Sequence, residues 1–266
     1  MSFFNKLQIE EIVAIGYEAG EIAAASQKSA DFQVMQKPDG SSVTSADVEV
    51  SKFVNKKLSE KFPEIPVICE EGKLREADDI FWLIDPIDGT GSFIKNSPEF
   101  AVNIALVKNK KTIFGLIYAP LFEGGKMVFS NEKDQIIIQN KLEKKAILER
   151  KQSVQKGLRI VTSSRTKQIH IDNYIAQFHH EFKNNFSVER LSSAIKFFRI
   201  LEGDADFYLH FRQSMEWDTA AGQALVELLD GKVKTLVLAE NNYLIGRELL
   251  YKKADFINEP FISFIW

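Results

Sequence analysis

The chain has 266 residues, of which 45% are hydrophobic and 27% charged. This composition is typical of a globular protein with one large or two small domains, and the net charge of −3 with scattered basic residues excludes a broad cationic surface for a nucleic-acid polymer. The single cysteine, Cys69, excludes an intrachain disulfide, so we expect a reducing, cytoplasmic environment.

Two amphipathic helices are predicted at the start of the chain. Apolar residues recur at helical spacing between positions 9 and 23 and again between 50 and 62. The first helix carries four glutamates and lacks the long uncharged core of a signal peptide or membrane span, so we expect neither export nor membrane insertion. The polar stretch 36–45 predicts a loop between the two helices.

Short apolar runs predict a sheet in the rest of this half. Two buried strands, 67–69 and 81–84, each deliver acidic residues at their C-terminal ends. Later runs are separated by short turns, which favour antiparallel pairing. These later strands are predicted at 100–107, 112–118, 126–130 and 135–139.

The composition shifts to lysine and glutamate between positions 140 and 157, and a domain boundary is predicted near Ser153. An N-terminal α+β domain would span 1–152, and a C-terminal α/β domain 153–266. In the second domain, apolar runs alternate with helical patterns, as expected for a layered α/β unit. Its strands are predicted at 158–162, 186–188 and 207–211, and its helices at 169–182, 193–202 and 218–230.

Two carboxylates stand three positions apart in a turn after an apolar strand, Asp85-Pro-Ile-Asp88-Gly-Thr90. Mg²⁺ prefers oxygen ligands from a few carboxylates, water and substrate phosphate. The proline removes a backbone donor and leaves the Ile87 carbonyl as a further oxygen ligand. Gly89 allows a close approach, and the N–H groups of a helix starting after the threonine would attract a phosphate.

Three other acidic motifs accompany this turn, and each also has a structural interpretation. Thr44-x-x-Asp47 is typical of a capping box, Glu70-Glu71 of a solvated loop, and Asp218 before an alanine-rich helix of an N-cap. The turn with two aspartates is itself common turn chemistry. Their joint occurrence, in this order, favours a carboxylate cage for Mg²⁺ that acts on phosphate esters.

The combined motifs resemble the inositol monophosphatase superfamily of Mg²⁺-dependent, lithium-sensitive phosphatases. Within it, further segments look most like the bacterial 3′(2′),5′-bisphosphate nucleotidases, and the resemblance covers nearly the whole chain. These segments are 37–44, 93–95, 99–106, 115–120 and 192–197. The resemblance implies an α+β fold, a layered α/β/α/β/α sandwich whose N-terminal α+β half and C-terminal α/β half meet at the metal site.

The resemblance also implies a role for each matched residue. The metal ligands, for two or three Mg²⁺ ions, would be Glu70, Asp85, the carbonyl of Ile87, Asp88 and Asp218. The groups that position the attacking water and help to deprotonate it would be Asp47, Glu70 and Thr90. The groups that hold the phosphate and the rest of the substrate would be Gly89, Thr90, Ser193 and Lys196.

The activity implied is release of the 3′-phosphate of adenosine 3′,5′-bisphosphate, a by-product of sulfate activation or carrier-protein loading, to give AMP and phosphate. One alternative is an inositol monophosphatase or another sugar-phosphate phosphatase, and a second is a regulatory or interaction protein on the same fold. The expected partner is a small phosphate ester, and the chain is expected to form a homodimer. Association with a membrane surface stays open.

Four residues depart from the nucleotidase pattern. Gly91-Ser92 replaces the usual Lys-Glu pair and removes a positive charge. His210 stands where an arginine is common, with Arg212 nearby as a substitute, and Leu191 stands where a glycine often precedes the paired serines. None of them is an expected metal ligand, so the departures bear on preference for a bisphosphate nucleotide.

Overall fold

The computed structural model describes residues 3–30, 32–38, 40–72, 78–141, 146–149, 157–177, 185–239 and 242–265. Among the helices of this described part, none is both long and apolar enough to cross a membrane. The helices are α1 (Lys6–Ser29), α2 (Ser45–Lys61), α3 (Thr90–Ile94), α4 (Gln168–Ala176), α5 (Ile195–Leu201) and α6 (Glu216–Glu227).

The first large sheet has seven strands in the order β3-β4-β5-β6-β7-β8-β9. All neighbours are antiparallel except β3 and β4, which are parallel. Its strands are β3 (Val67–Cys69), β4 (Ile80–Asp88), β5 (Ala101–Lys108), β6 (Lys111–Ala119), β7 (Lys126–Ser130), β8 (Ile136–Asn140) and β9 (Ala146–Leu148). A separate hairpin joins β1 (Val34–Gln36) and β2 (Ser42–Thr44).

The second large sheet has six strands in the order β11-β10-β12-β17-β14-β15. Strand β10 is parallel to β11 and β12, and the other pairs are antiparallel. These strands are β10 (Leu158–Ser163), β11 (Phe186–Leu191), β12 (Phe207–His210), β14 (Lys232–Ala239), β15 (Asn242–Glu248) and β17 (Phe261–Phe264). A small ladder pairs β13 (Ser214–Met215) with β16 (Ile257–Asn258).

The layers follow from the alternation of side chains along β4. Trp82 and Ile84 lie in a core shared with α1 and α2, whereas Phe81 and Leu83 point to the other face. That face packs on α5 and α6, which in turn cover the second sheet. Helix α4 covers the outer face of the second sheet. The result is the predicted α/β/α/β/α sandwich, so the expected fold class is confirmed.

The elements of the first half match the sequence patterns closely, but several others were not predicted. The stretch 36–45, expected to be a loop, contains strand β2 and the end of β1. Strand β9 lies in the segment interpreted as a change of domain, and β14 to β17 were missed. The boundary near Ser153 and residues 178–182 of the fourth predicted helix lie outside the described residues.

Helix α6 lies against the centre of the first sheet because one strand residue has no side chain. A Cβ atom at Gly115 would lie 2.3 Å from the carbonyl oxygen of Ala221 and 3.0 Å from the Cβ atom of Ala224. Contacts this short require the backbone to move. Gly115 therefore sets how closely the sheet approaches the helix that carries Asp218.

We expect Gly115→Ala to lower the free energy of unfolding by about 1–3 kcal/mol, because the added methyl group meets helix backbone. Urea denaturation would measure the change. Lys111→Ala, at an exposed position of the same strand, is the control and should stay within about 0.5 kcal/mol of the wild type. Equal losses in both variants would contradict this account of the close approach.

Candidate active site

The turn at the end of β4 faces a cavity because the strand bulges there. Pairing with β5 slips by one residue between Asp85 and Asp88, where Pro86 has no N–H to donate to the ladder. The Ile87 N–H instead donates to Asp85 Oδ1 at 3.1 Å. Both carboxylates and Ile87 consequently line the same cavity.

Helix α6 brings a third carboxylate to this point. Asp218 is the third residue of the helix, and its Oδ2 atom accepts a hydrogen bond from the Met215 N–H at 2.9 Å. The interpretation of Asp218 as the N-cap is therefore wrong, since Met215 holds that position. Asp85, Asp88 and Asp218 each offer an oxygen, and these oxygens lie within 4.8 Å of one another. The three could hold a metal ion.

Without a cation, the ionised forms of the three carboxylates are disfavoured. Burial raises the pKa of Asp85 and Asp218 well above the usual range, and the charges of the neighbouring carboxylates raise it further. Burial also raises the pKa of Asp88, although the Lys196 ammonium and a hydrogen bond from the Ala194 N–H oppose this shift. A divalent cation would restore the ionised forms.

Glu70 lies directly after β3 and lines the same cavity, where it is paired with a lysine. Lys37 Nζ lies 2.6 Å from Glu70 Oε1 and 2.7 Å from Glu71 Oε1. The two glutamate side chains are only 23% and 9% exposed, so the interpretation of this pair as a solvated loop is wrong. Burial raises the pKa of Glu70, and the Lys37 charge opposes that rise.

The Asp47 carboxylate accepts hydrogen bonds both at the start of helix α2 and from Thr90. Its Oδ2 atom accepts hydrogen bonds from the Thr44 N–H at 2.8 Å and hydroxyl at 2.5 Å, which confirms the predicted capping box. Its Oδ1 atom lies 3.1 Å from Thr90 Oγ1. The Thr90 hydroxyl is also 3.1 Å from the Ile87 carbonyl, so it has two acceptors for its single proton.

The two halves of the chain touch beside this threonine. Gly89 has φ +89°, and a Cβ atom there would lie 2.8 Å from the Glu99 carbonyl and 3.1 Å from Ser193 Cβ. Only glycine accommodates both the left-handed backbone and the close contact. Lys196, which is 4% exposed, donates from Nζ to the Ser193 carbonyl. Burial lowers the pKa of Lys196 to about 8.

The cavity has a volume of about 370 Å³ and gathers nearly all of the residues expected from the sequence. Asp47 is the exception, since it lies behind Thr90 and reaches the cavity through that hydroxyl. The expected residues that line the cavity are Glu70, Asp85, Ile87, Asp88, Gly89, Thr90, Ser193, Lys196 and Asp218.

The departures at Gly91 and His210 have different structural consequences. Burial lowers the pKa of His210 to about 3, and its ring stacks on Phe261 with centroids 5.1 Å apart. A neutral imidazole does not replace the charge of an arginine, whereas the exposed Arg212 lines the same cavity. At Gly91, the guanidinium of Arg165 lies where a side chain would stand.

Sequence reasoning missed several side chains that contact the expected site residues or their neighbours in sequence. Asn103 donates from Nδ2 to Asp88 at 3.3 Å, and Glu99 accepts from the Ser192 N–H at 2.8 Å. A polar residue inside the apolar run 100–107 was a usable signal for Asn103. Arg165 had no such signal, because its position depends on contact between distant segments.

A sequence profile of the Inositol monophosphatase family matches residues 7–257. The chain therefore belongs to the inositol monophosphatase family, as its motifs indicated, and it is a phosphatase. A 3′(2′),5′-bisphosphate nucleotidase CysQ from Buchnera aphidicola is 30% identical over 260 residues, which cover 96% of this chain and 92% of that relative. The predicted likeness to the bacterial nucleotidases is thereby confirmed.

Solved structures show the same relationship. The crystal structure of CysQ from Bacteroides thetaiotaomicron has a TM-score of 0.80 and 27% sequence identity, covering 99% of this chain and 98% of that chain. An IMPase from Thermotoga maritima has a TM-score of 0.71 at 20% identity, covering 97% of this chain and 91% of that chain. The second similarity is one of fold.

The raised pKa of Asp218 predicts how the stability of the metal-free protein depends on pH. A carboxyl whose pKa is higher in the folded chain binds its proton more tightly there, so its contribution to stability falls as the pH rises from 3.8 through the raised value. We therefore expect Asp218→Asn to stabilise the metal-free protein, and to do so more at about pH 8 than at about pH 5.

Urea denaturation in the presence of a chelator would measure this difference. Asp172→Asn, on the exposed face of α4, is the matched control and should show no such trend. Mg²⁺ should reduce the difference in unfolding free energy between Asp218→Asn and the wild type, because the ion stabilises the wild type. A difference in unfolding free energy that does not change with pH would show that Asp218 is not under the expected repulsion.

Proposed function

We propose that this phosphatase hydrolyses the 3′-phosphate of adenosine 3′,5′-bisphosphate, with Mg²⁺, to give AMP and phosphate. The observation that carries the proposal is the group of Asp85, Asp88 and Asp218 in a cavity that hydroxyl-bearing and cationic side chains also line. The choice of substrate is supported by the similarity to CysQ proteins, which are named as 3′(2′),5′-bisphosphate nucleotidases.

The donor set fits Mg²⁺, which takes carboxylate, carbonyl and water oxygens in preference to nitrogen or sulfur. The residues that would hold two or three ions are Glu70, Asp85, the carbonyl of Ile87, Asp88 and Asp218. Bound Mg²⁺ would lower the pKa of the attacking water and offset negative charge on the phosphoryl and leaving oxygens. We expect lithium to inhibit, as the resemblance to the family implies.

The chain's own groups would move the proton of the attacking water. Thr90 Oγ1 can donate its proton to Asp47 Oδ1 and accept another from the water, which then attacks phosphorus. The ester P–O bond breaks as the new bond forms, and the leaving 3′-oxygen takes up a proton from solvent water. Burial raises the pKa of Asp47, so its carboxylate is a better proton acceptor than an exposed one. Glu70 lines the same cavity and would help to orient the water.

Other groups would hold the phosphate as it reacts. The Gly89 N–H donates a hydrogen bond to the Asp88 carboxylate, and both Gly89 and Thr90 line the cavity. Lys196 lies against Ser193 and close enough to Asp88 for their charges to interact. A cation at this place would offset charge that builds up on the phosphoryl oxygens.

Phosphate release in the presence of Mg²⁺ would test the substrate. We expect adenosine 3′,5′-bisphosphate to be hydrolysed with a higher kcat/KM than inositol 1-phosphate or fructose 1,6-bisphosphate, and lithium to inhibit the reaction. Preference for a sugar phosphate would place the protein with the sugar-phosphate phosphatases, which the missing side chain at Gly91 would favour. No metal-dependent release from any substrate would favour a regulatory or interaction role.

Asp88→Asn should lower kcat by about a factor of several hundred, because it removes a ligand charge while keeping the side-chain shape. A phosphate-release assay at saturating substrate would measure this loss. Asp172→Asn, which changes an exposed aspartate of α4 in the same way, should retain wild-type turnover. Wild-type turnover in Asp88→Asn would remove Asp88 from the metal site.

We also propose that the protein acts as a homodimer in the cytoplasm, as expected from the family resemblance and from the single reduced cysteine. Burial raises the pKa of Cys69 to about 11, so its thiol stays protonated at neutral pH. Size-exclusion chromatography with light scattering would give the oligomeric state, and a monomer at all concentrations would contradict the dimer.

A further inference from the structure

The cavity is lined by acidic and cationic side chains. The carboxylates Asp85, Asp88 and Asp218 lie together, and we call this part of the cavity the carboxylate pole. Three cationic side chains line the same cavity, namely Arg165, Lys196 and Arg212. A substrate whose reacting phosphate lies at the carboxylate pole, next to bound metal, would thus have cations within the same cavity for its other charged groups.

Lys196 is already engaged at the carboxylate pole. Its Nζ atom donates to the Ser193 carbonyl and lies 5.3 Å from the centre of the Tyr208 ring. Its strongest charge interactions are with Asp88 and then Asp218. A buried ammonium held in this way suits the reacting phosphate better than a group elsewhere on the substrate.

Arg165, unlike Lys196, has an exposed side chain. It follows β10 in the second half of the chain, its side chain is exposed, and its backbone N–H is held by Ser163 Oγ at 3.3 Å. Within the described part of the chain, no carboxylate forms an ion pair with its guanidinium. The group therefore keeps its full set of donors for a ligand.

The guanidinium of Arg165 occupies space that a side chain at Gly91 would need. A Cβ atom at Gly91 would lie 2.7 Å from Arg165 Nη2, which is closer than a carbon and a nitrogen can approach. Gly91 is the second residue of α3, directly after Thr90, and its φ is not in the left-handed region. Backbone conformation thus does not require glycine here, and a side chain at this position would have to displace the exposed Arg165 guanidinium.

We propose that Arg165 binds a second, non-reacting phosphate of the substrate and so sets the preference for doubly phosphorylated esters. The proposal rests on the proposed phosphatase function of the same cavity. A guanidinium presents paired N–H donors that match two phosphate oxygens, and a charged hydrogen bond of this kind is stronger than a neutral one. Both nucleotide and sugar bisphosphates offer this chemistry.

The test compares each bisphosphate with the monophosphate that keeps only the reacting group. One pair is adenosine 3′,5′-bisphosphate with adenosine 3′-phosphate, and the other is fructose 1,6-bisphosphate with fructose 1-phosphate. We expect Arg165→Ala to lower the ratio of kcat/KM values for the better pair by about 10- to 100-fold, while kcat/KM for the monophosphate changes by less than about threefold. Arg165→Lys should retain part of the preference, because the positive charge remains but the paired N–H donors of the guanidinium are lost.

Arg247→Ala is the matched control, since it removes an exposed arginine from strand β15 and should leave the ratio unchanged. An unchanged ratio in Arg165→Ala, or equal losses on both members of the pair, would overturn the proposal. If the wild type prefers the sugar pair, the nucleotide substrate is refuted, and the loss of that preference in Arg165→Ala would support the role of Arg165 while its retention would overturn it. A wild type indifferent to the second phosphate in both pairs would refute the role of Arg165.

Discussion

The mutual repulsion of three carboxylates is the constraint on which the site depends. Asp85, Asp88 and Asp218 come within 4.8 Å of one another although burial and proximity both disfavour their ionised forms. They stay together because β4 and α6 are fixed by the rest of the fold, down to the close contact at Gly115. The core thus keeps these three carboxylates close together despite their mutual repulsion, and a bound cation would offset that repulsion.

The site lies where the two halves of the chain meet, and both halves contribute residues to it. The first half supplies the bulged end of β4 and the start of α2, and the second supplies α6 and the backbone around Ser193. Arg165 also belongs to the second half and lies beside Gly91 of the first. Any change in how the halves pack would therefore alter the distances among the three carboxylates and the distance from Arg165 to the turn after β4.

Local sequence pattern predicted the parts of this protein that depend on local physics. The helices and strands of the first half follow from periodicity, and the capping box at Thr44 from its spacing. The carboxylates could be predicted because oxygen-rich turns after buried strands suit a hard cation. The strands after position 231 include two that lie inside the second sheet, where long-range pairing decides structure. Lys37 and Arg165 were missed for the same reason, since their partners are distant in sequence.

One carboxylate illustrates how closely folding and chemistry are joined here. Asp47 completes the capping of α2 with one oxygen and accepts from Thr90 with the other. In the proposed mechanism the hydrogen bond to Thr90 relays a proton, so a substitution at this position would affect the start of α2 and that proposed relay together. A mutational scan would consequently score Asp47 as intolerant on both solubility and turnover. Its replacement over evolutionary time would require a second substitution that takes over one of the tasks.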